Sequence, residues 1–139
     1  MVQQIINCGE GSFKKIENYL KKNEKNILIV SSKRAIKNKY ISNVINKFSN
    51  QRNLFFFSDF SVNPKYKDAL IGARKFLKNS CEVIIAIGGG SAIDVAKLIN
   101  VAQYDIKNFQ KIAVGQKKLN VKFKKLIAVP TTAGTGSES

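Results

Sequence analysis

The sequence has no histidine in its 139 residues. That absence excludes a Ser-His-Asp triad, a Cys-His nucleophile, a zinc site of the usual imidazole kind and any His acid–base relay. Acidic residues are scarce, 9 Asp+Glu against 24 Lys+Arg, for a formal net charge of +15. Cysteine is limited to Cys8 and Cys81, which lie far apart and form no CxxC spacing. Free buried thiols of a reducing cytosol are the expected reading. No apolar run approaches membrane-spanning length, and the N-terminus lacks a basic segment followed by an apolar one. A cytoplasmic, soluble protein is therefore expected, with no membrane partner.

At 139 residues the chain has the size of one domain, and 44% apolar residues can fill a core without disulfides. The positive charge raises a nucleic-acid reading. Only Arg34, Arg52 and Arg74 are arginines, and the lysines are spread along the chain. No RNP-like aromatic motif, zinc finger or Arg-rich recognition helix accompanies them. Lysine is abundant together with Asn and Ile, which points to compositional bias and a solvated lysine surface. A positive field would still draw in an anionic ligand.

Apolar runs alternate with helical patterns. Asn26–Ser31, Leu54–Phe57, Glu82–Ile87 and Leu126–Val129 read as buried strands, and Val2–Ile6 as a further edge strand. Between them, Ser12 is placed to cap a helix with Phe13, Ile16, Tyr19 and Leu20 on its apolar face. Ala35–Phe48 puts Ile36, Tyr40, Ile41, Val44, Ile45 and Phe48 on one stripe. A third helix follows Pro64 and ends at Asn79-Ser80, and a fourth runs from Ser91 to about Ala102. The stretch 103–125 is the least regular. Strand and helix in strict alternation imply an α/β fold, with a mostly parallel sheet covered by helices on both faces.

In open parallel sheets ligands bind beyond the carboxyl ends of the strands. Three loops there carry signals. Gly88-Gly89-Gly90-Ser91 leaves one strand and opens a helix, so the backbone can approach a phosphate held at the helix N-terminus. Ser91-Ala92-Ile93-Asp94 also fits a capping box, which needs no ligand. The spacing is not the G-x-G-x-x-G fingerprint. The segment from Pro130 to Ser139 follows a buried strand and is dense in hydroxyls and glycines, which suits a polar pocket beside the glycine turn and reads as a cut through a larger protein. Ser31-Ser32-Lys33-Arg34 lacks the acidic residue that often holds ribose hydroxyls, and could accept a phosphate there instead.

These residues together resemble the iron-containing (group III) alcohol dehydrogenase family. Gly88–Lys97 is similar to its GGGSxxDxAK signature and Pro130–Glu138 to its PTTAGTGSE signature. Val62-Asn63-Pro64 resembles its xNP turn, and Leu28–Val30 the strand before its ribose-binding position. The resemblance implies that residues 1–139 form an N-terminal, Rossmann-like dinucleotide-binding domain, without the family's C-terminal helical domain. It places the NAD or NADP cofactor at Gly88, Gly89, Gly90, Ser91, Asp94, Thr131, Thr132, Thr135 and Asn63. The family's ribose-binding aspartate falls at Ser32, and with Lys33 and Arg34 adjacent NADP becomes an alternative to NAD. The divalent metal, iron or zinc, is held in the family by one Asp and three His of a later domain, and would polarise the substrate oxygen as a Lewis acid.

The expected function is thus the cofactor-binding domain of a metal-dependent, NAD(P)-linked alcohol dehydrogenase or aldehyde reductase. No residue here is a candidate for catalytic proton transfer or metal ligation, and the chain alone is expected to be inactive. The complete enzyme would take a small alcohol or aldehyde, with a homodimer as one assembly. Alternatives are a fragment of a glycerol- or sugar-phosphate-type enzyme of the same superfamily, a basic nucleic-acid-binding module, and a truncated product without a function of its own.

Overall fold

Runs of Ile, Leu, Val and Phe set the sheet, because β-branched and aromatic side chains fit a pleated, buried surface. In the computed structural model, residues 4–6, 12–61, 65–118 and 120–131 are described, with backbone alone for 4–6 and 12–14. The strands are β1 (Gln4–Ile6), β2 (Asn26–Ser31), β3 (Asn53–Phe57), β4 (Val83–Gly88) and β5 (Lys125–Pro130). Their order is β1-β5-β4-β2-β3 and every pairing is parallel. Ile29 sits opposite Ile85, which sits opposite Ile127. Every residue of β4 is buried, as are 27–31 of β2 and 126–129 of β5, so these three strands are covered on both faces.

The covers are α1 (Lys33–Ile36), α2 (Lys39–Ser49), α3 (Tyr66–Lys78), α4 (Gly90–Ala102) and α5 (Phe109–Ala113), with a 3-10 helix at Ser12–Tyr19. On one face, Leu28, Val30, Ile84, Ala86 and Leu126 pack against Ala73 and Phe76 of α3, Val95 and Ile99 of α4, and Phe109 of α5. On the other, Ile27, Ile29, Ile85, Ile87 and Ile127 pack against Ile16 and against Ile41, Val44, Ile45 and Phe48 of α2. Parallel crossovers are right-handed, so connections running in opposite directions across a sheet must lie on opposite faces. The β2-to-β3 connection runs one way and carries α2. The β3-to-β4 and β4-to-β5 connections run back and carry α3, α4 and α5. The expected α/β architecture with two covered faces is what the chain forms.

Three elements differ from their expected form. The helix expected over Ala35–Phe48 is broken into α1 and α2. Asn38 Oδ1 accepts the N–H groups of Tyr40 at 3.0 Å and Ile41 at 3.2 Å, so its side chain starts a new helix where the periodicity suggests continuity. Ile36 and Tyr40 consequently fall off the buried stripe, and Tyr40 is exposed. The Ser12–Tyr19 segment winds as a 3-10 helix, since Ile16 is the one fully buried apolar side chain among its described positions and little packing enforces the α pitch. In the irregular stretch, α5 forms around buried Phe109, which meets Tyr66 edge-on at 5.6 Å.

Helices α3 and α4 meet at Gly72. A Cβ there would lie 2.8 Å from Ile99 Cγ1 and 3.1 Å from Phe57 Cε2, and closer still to Ile99 Cδ1. Both neighbours are buried and have nowhere to move. The helix-propensity gain from Gly to Ala, roughly 1 kcal/mol, is smaller than an overpacking cost of about 1–3 kcal/mol. Gly72→Ala should therefore lower the unfolding free energy by up to about 2 kcal/mol in urea denaturation, whereas a raised midpoint would mean that the helices can part freely.

Candidate functional site

The chain leaves β2 for β3 on one side and later places β4 on the other side of β2. This reversal opens a crevice between the carboxyl ends of β2 and β4, the position where open α/β sheets take their ligands. A cleft of about 260 Å³ lies there. Ser32, just after β2, forms one wall and Gly89–Ala92, just after β4, the other. Phe60 and Ser61, in the loop that leaves β3, complete it.

Gly88 ends β4 at φ +144°, a conformation side chains rarely adopt, and a Cβ on it would come within 3.3 Å of Ala92 Cβ. Gly89 is the N-cap of α4 and supplies no side-chain hydrogen bond to the helix, and no acidic residue occupies the first turn. Gly90 faces open space, with nothing within 4 Å of a Cβ placed on it. The capping box expected as an alternative at Ser91–Asp94 is therefore not the helix start. The helix begins one residue before Ser91, because three glycines let the backbone turn in without a capping side chain. The positive end of the α4 dipole is left facing the cleft, as an anion site requires. Asp94 lies about one turn into α4, exposed and outside the cleft lining.

Ser32 is half-buried, and its Oγ accepts the Ala35 N–H at 3.0 Å as the N-cap of α1. Lys33 and Arg34 follow it, both exposed. Thr131 joins the two glycine-rich segments: its N–H donates to the Gly88 carbonyl at 3.0 Å, directly beyond the Gly88–Pro130 pair of the sheet. Of the sequence-predicted positions, Ser32, Gly89, Gly90 and Ser91 thus line one cleft, with Gly88 and Thr131 beside it. Asn63, Thr132 and Thr135 lie outside the described residues.

Sequence reasoning missed Phe60, Ser61 and Asp68. Asp68 is buried near the start of α3, and its Oδ2 accepts the N–H of Lys65 at 3.0 Å, the N–H of Ser61 at 3.4 Å and the Ser61 hydroxyl at 3.2 Å. The Lys65 backbone bond leads the effects that hold its carboxyl below the usual carboxylate range, outweighing the opposing effect of burial. An Asp four residues after Pro64 was the available signal, as an acid in a first helical turn. Cys81 is buried, and desolvation first, then Glu82, pushes its thiol up to about 11, so it is no nucleophile. Cys8 lies outside the described residues. The described residues contain no cluster of three His, Cys, Asp or Glu able to hold a metal, and no described helix is long and apolar enough to cross a membrane. The described side chains therefore offer no ligand set that fits a metal ion.

An all-parallel sheet with a glycine-led, uncapped helix at its switch point has the architecture of nucleotide-binding α/β proteins. The chain belongs to the iron-containing alcohol dehydrogenase family, whose family model matches residues 3–139. It is 31% identical over 121 residues to a mitochondrial hydroxyacid-oxoacid transhydrogenase of Xenopus laevis, covering 84% of this chain and 25% of that protein. Against 4-hydroxybutyrate dehydrogenase of Clostridium kluyveri it is 43% identical over 81 residues, 58% of this chain and 19% of the relative. Among solved structures, sulfoacetaldehyde reductase from Bifidobacterium kashiwanohense in complex with NAD+ superposes with a TM-score of 0.78 at 29% identity. That match covers 99% of this chain and 36% of the reductase, so the chain spans about a third of that chain and a quarter or less of these curated relatives.

The glycine geometry separates two substitutions. Gly88→Ala places a side chain at a positive φ and against Ala92, and should cost about 1–3 kcal/mol of stability. Gly90→Ala meets open space and should change stability by no more than about 0.5 kcal/mol. Chemical denaturation of the two variants side by side checks this; equal losses would contradict the described turn.

Proposed function

We propose that the chain is the dinucleotide-binding domain of a metal-dependent, NAD(P)-linked alcohol dehydrogenase or aldehyde reductase acting in the cytoplasm. The observation that carries this reading is the uncapped N-terminus of α4, which opens into the switch-point cleft between Ser32 and Gly90. Family membership supports it, as does the NAD+ held by the superposed sulfoacetaldehyde reductase. In this reading the N–H groups at Gly89, Gly90 and Ser91 bind the pyrophosphate, with Gly88 kept bare to let it approach. By the family resemblance Thr131, Thr132, Thr135 and Asn63 contact the nucleotide, and Asp94 belongs to the same cofactor site. The cofactor carries the hydride, and the domain positions it. The metal is assigned to the remainder of the enzyme.

The ribose end of the cleft favours NADP as an accepted cofactor. Ser32 stands where the family has an aspartate, and no Asp or Glu occurs anywhere from 25 to 58. Exposed Lys33 and Arg34 thus lie in a stretch of sequence without an acid that would repel a 2′-phosphate.

Titration of the chain with NADH and NADPH, followed by nucleotide fluorescence, tests the reading. Binding of both is expected, with Lys33→Ala/Arg34→Ala weakening NADPH about tenfold and NADH by less than about twofold. A strong preference for NADH over NADPH would sink the 2′-phosphate subsite. The purified chain should show no alcohol oxidation with added iron or zinc, and metal-dependent turnover would refute the assignment of the reacting centre to the rest of the enzyme.

A further inference from the structure

Helix α3 starts beside the cleft, and the reason it starts there is also what holds the cleft's third wall. A residue that merely capped α3 would bond within the helix. Asp68 instead directs two of its three hydrogen bonds out of the helix, to the N–H and the hydroxyl of Ser61, and the third to the N–H of Lys65. Ser61 lines the cleft together with Ser32 and Gly89–Ala92. Its neighbour Phe60 is anchored on Phe57, ring centroids 6.0 Å apart, and against the core.

We infer that Asp68 is a positioning residue for the dinucleotide cleft: its carboxylate ties Ser61 to Lys65 at the start of α3 and so holds Ser61 at a fixed distance from the glycine turn. The inference rests on the dinucleotide reading above. A single buried carboxylate oxygen accepting three donors is a short, stiff bracket, and charge-assisted bonds of this kind are about twice as strong as neutral ones. The Ser61 hydroxyl is engaged by Asp68. Ser61 therefore contributes a wall of set position and not a free donor. Phe60 is fixed from the core side and Ser61 from the helix side, so the end of the loop that lines the cleft is held by two independent contacts.

The test titrates the 139-residue chain and its variants with NADH and NADPH. Asp68→Ala should weaken binding about tenfold and Ser61→Ala about threefold, with the double variant no more than about twofold below Asp68→Ala alone. Such coupling in affinity is not produced by a general loss of stability. Asp68→Asn, which retains an acceptor oxygen, should bind with intermediate affinity. Losses that multiply independently, or an Asp68→Ala variant within twofold of the parent, would overturn the bracket. Should Asp68→Ala fail to fold by circular dichroism, the isosteric Asn variant decides: reduced affinity supports the bracket and parental affinity overturns it. A parent chain that binds neither nucleotide overturns the cofactor reading itself, a result distinct from binding that is indifferent to Asp68.

Discussion

A sheet made wholly of parallel strands must send every connection across one of its faces, and right-handed crossing leaves little choice of which face. In this chain that constraint places α2 opposite α3 and α4, covers β2, β4 and β5 on both sides, and opens a crevice where the direction of winding reverses. The cleft is thus a by-product of topology before any polar residue is chosen. What the sequence adds is a bare backbone at the right place: Gly88 to bend, Gly89 to enter the helix without a cap, and Gly90 to leave the space open. Thr131 then ties the end of β5 to Gly88 through its backbone N–H.

The opposite end of the sheet is built differently. At the amino ends, Arg52 is buried and bonds Glu17 through two contacts of 2.8 Å, the carbonyl of Glu24 at 3.1 Å and that of Lys21 at 3.4 Å. Lys125 reaches Glu24 and the Tyr19 carbonyl, each at 2.7 Å. The Lys125 bond and nearby lysine charge bring the Glu24 carboxyl below its ordinary value, although burial, the largest single influence on it, acts the other way. A buried guanidinium without these partners would be strongly destabilising. Charged side chains therefore tie the loops at the amino ends together, whereas the carboxyl ends are held by Asp68, Ser32 and backbone bonds around the cleft.

The strands, their parallel arrangement and the glycine turn were legible because each depends on local composition: continuous apolar runs for buried strands, and glycines where no Cβ fits. Less was legible where a short polar side chain competes with periodicity. Asn38 splits a helix that Ile36 through Phe48 suggest is continuous, and a serine and an acid three apart at Ser91 mimic a cap that Gly89 makes unnecessary. Asp68 is legible as an acid in a first helical turn, but its role at the cleft was not, for another reason. Its partner Ser61 is seven residues away in sequence, and nothing in the order of residues says that the two will meet at the mouth of a cleft.

Gly72 gives the architecture a further property. It lets α3 and α4 touch through Ile99, about 9 Å along α3 from Tyr66 and about 14 Å along α4 from Gly90 at 1.5 Å per residue. Both helices carry a wall of the cleft at their near ends, one through Asp68 and the other through the glycine turn. The contact behaves as a spacer set back from a pair of jaws: by fixing how near the two shafts approach, it fixes the gape at their tips. A methyl group added there would act at a distance, widening a gap it never touches, and the width of the cleft is in this sense written in the core.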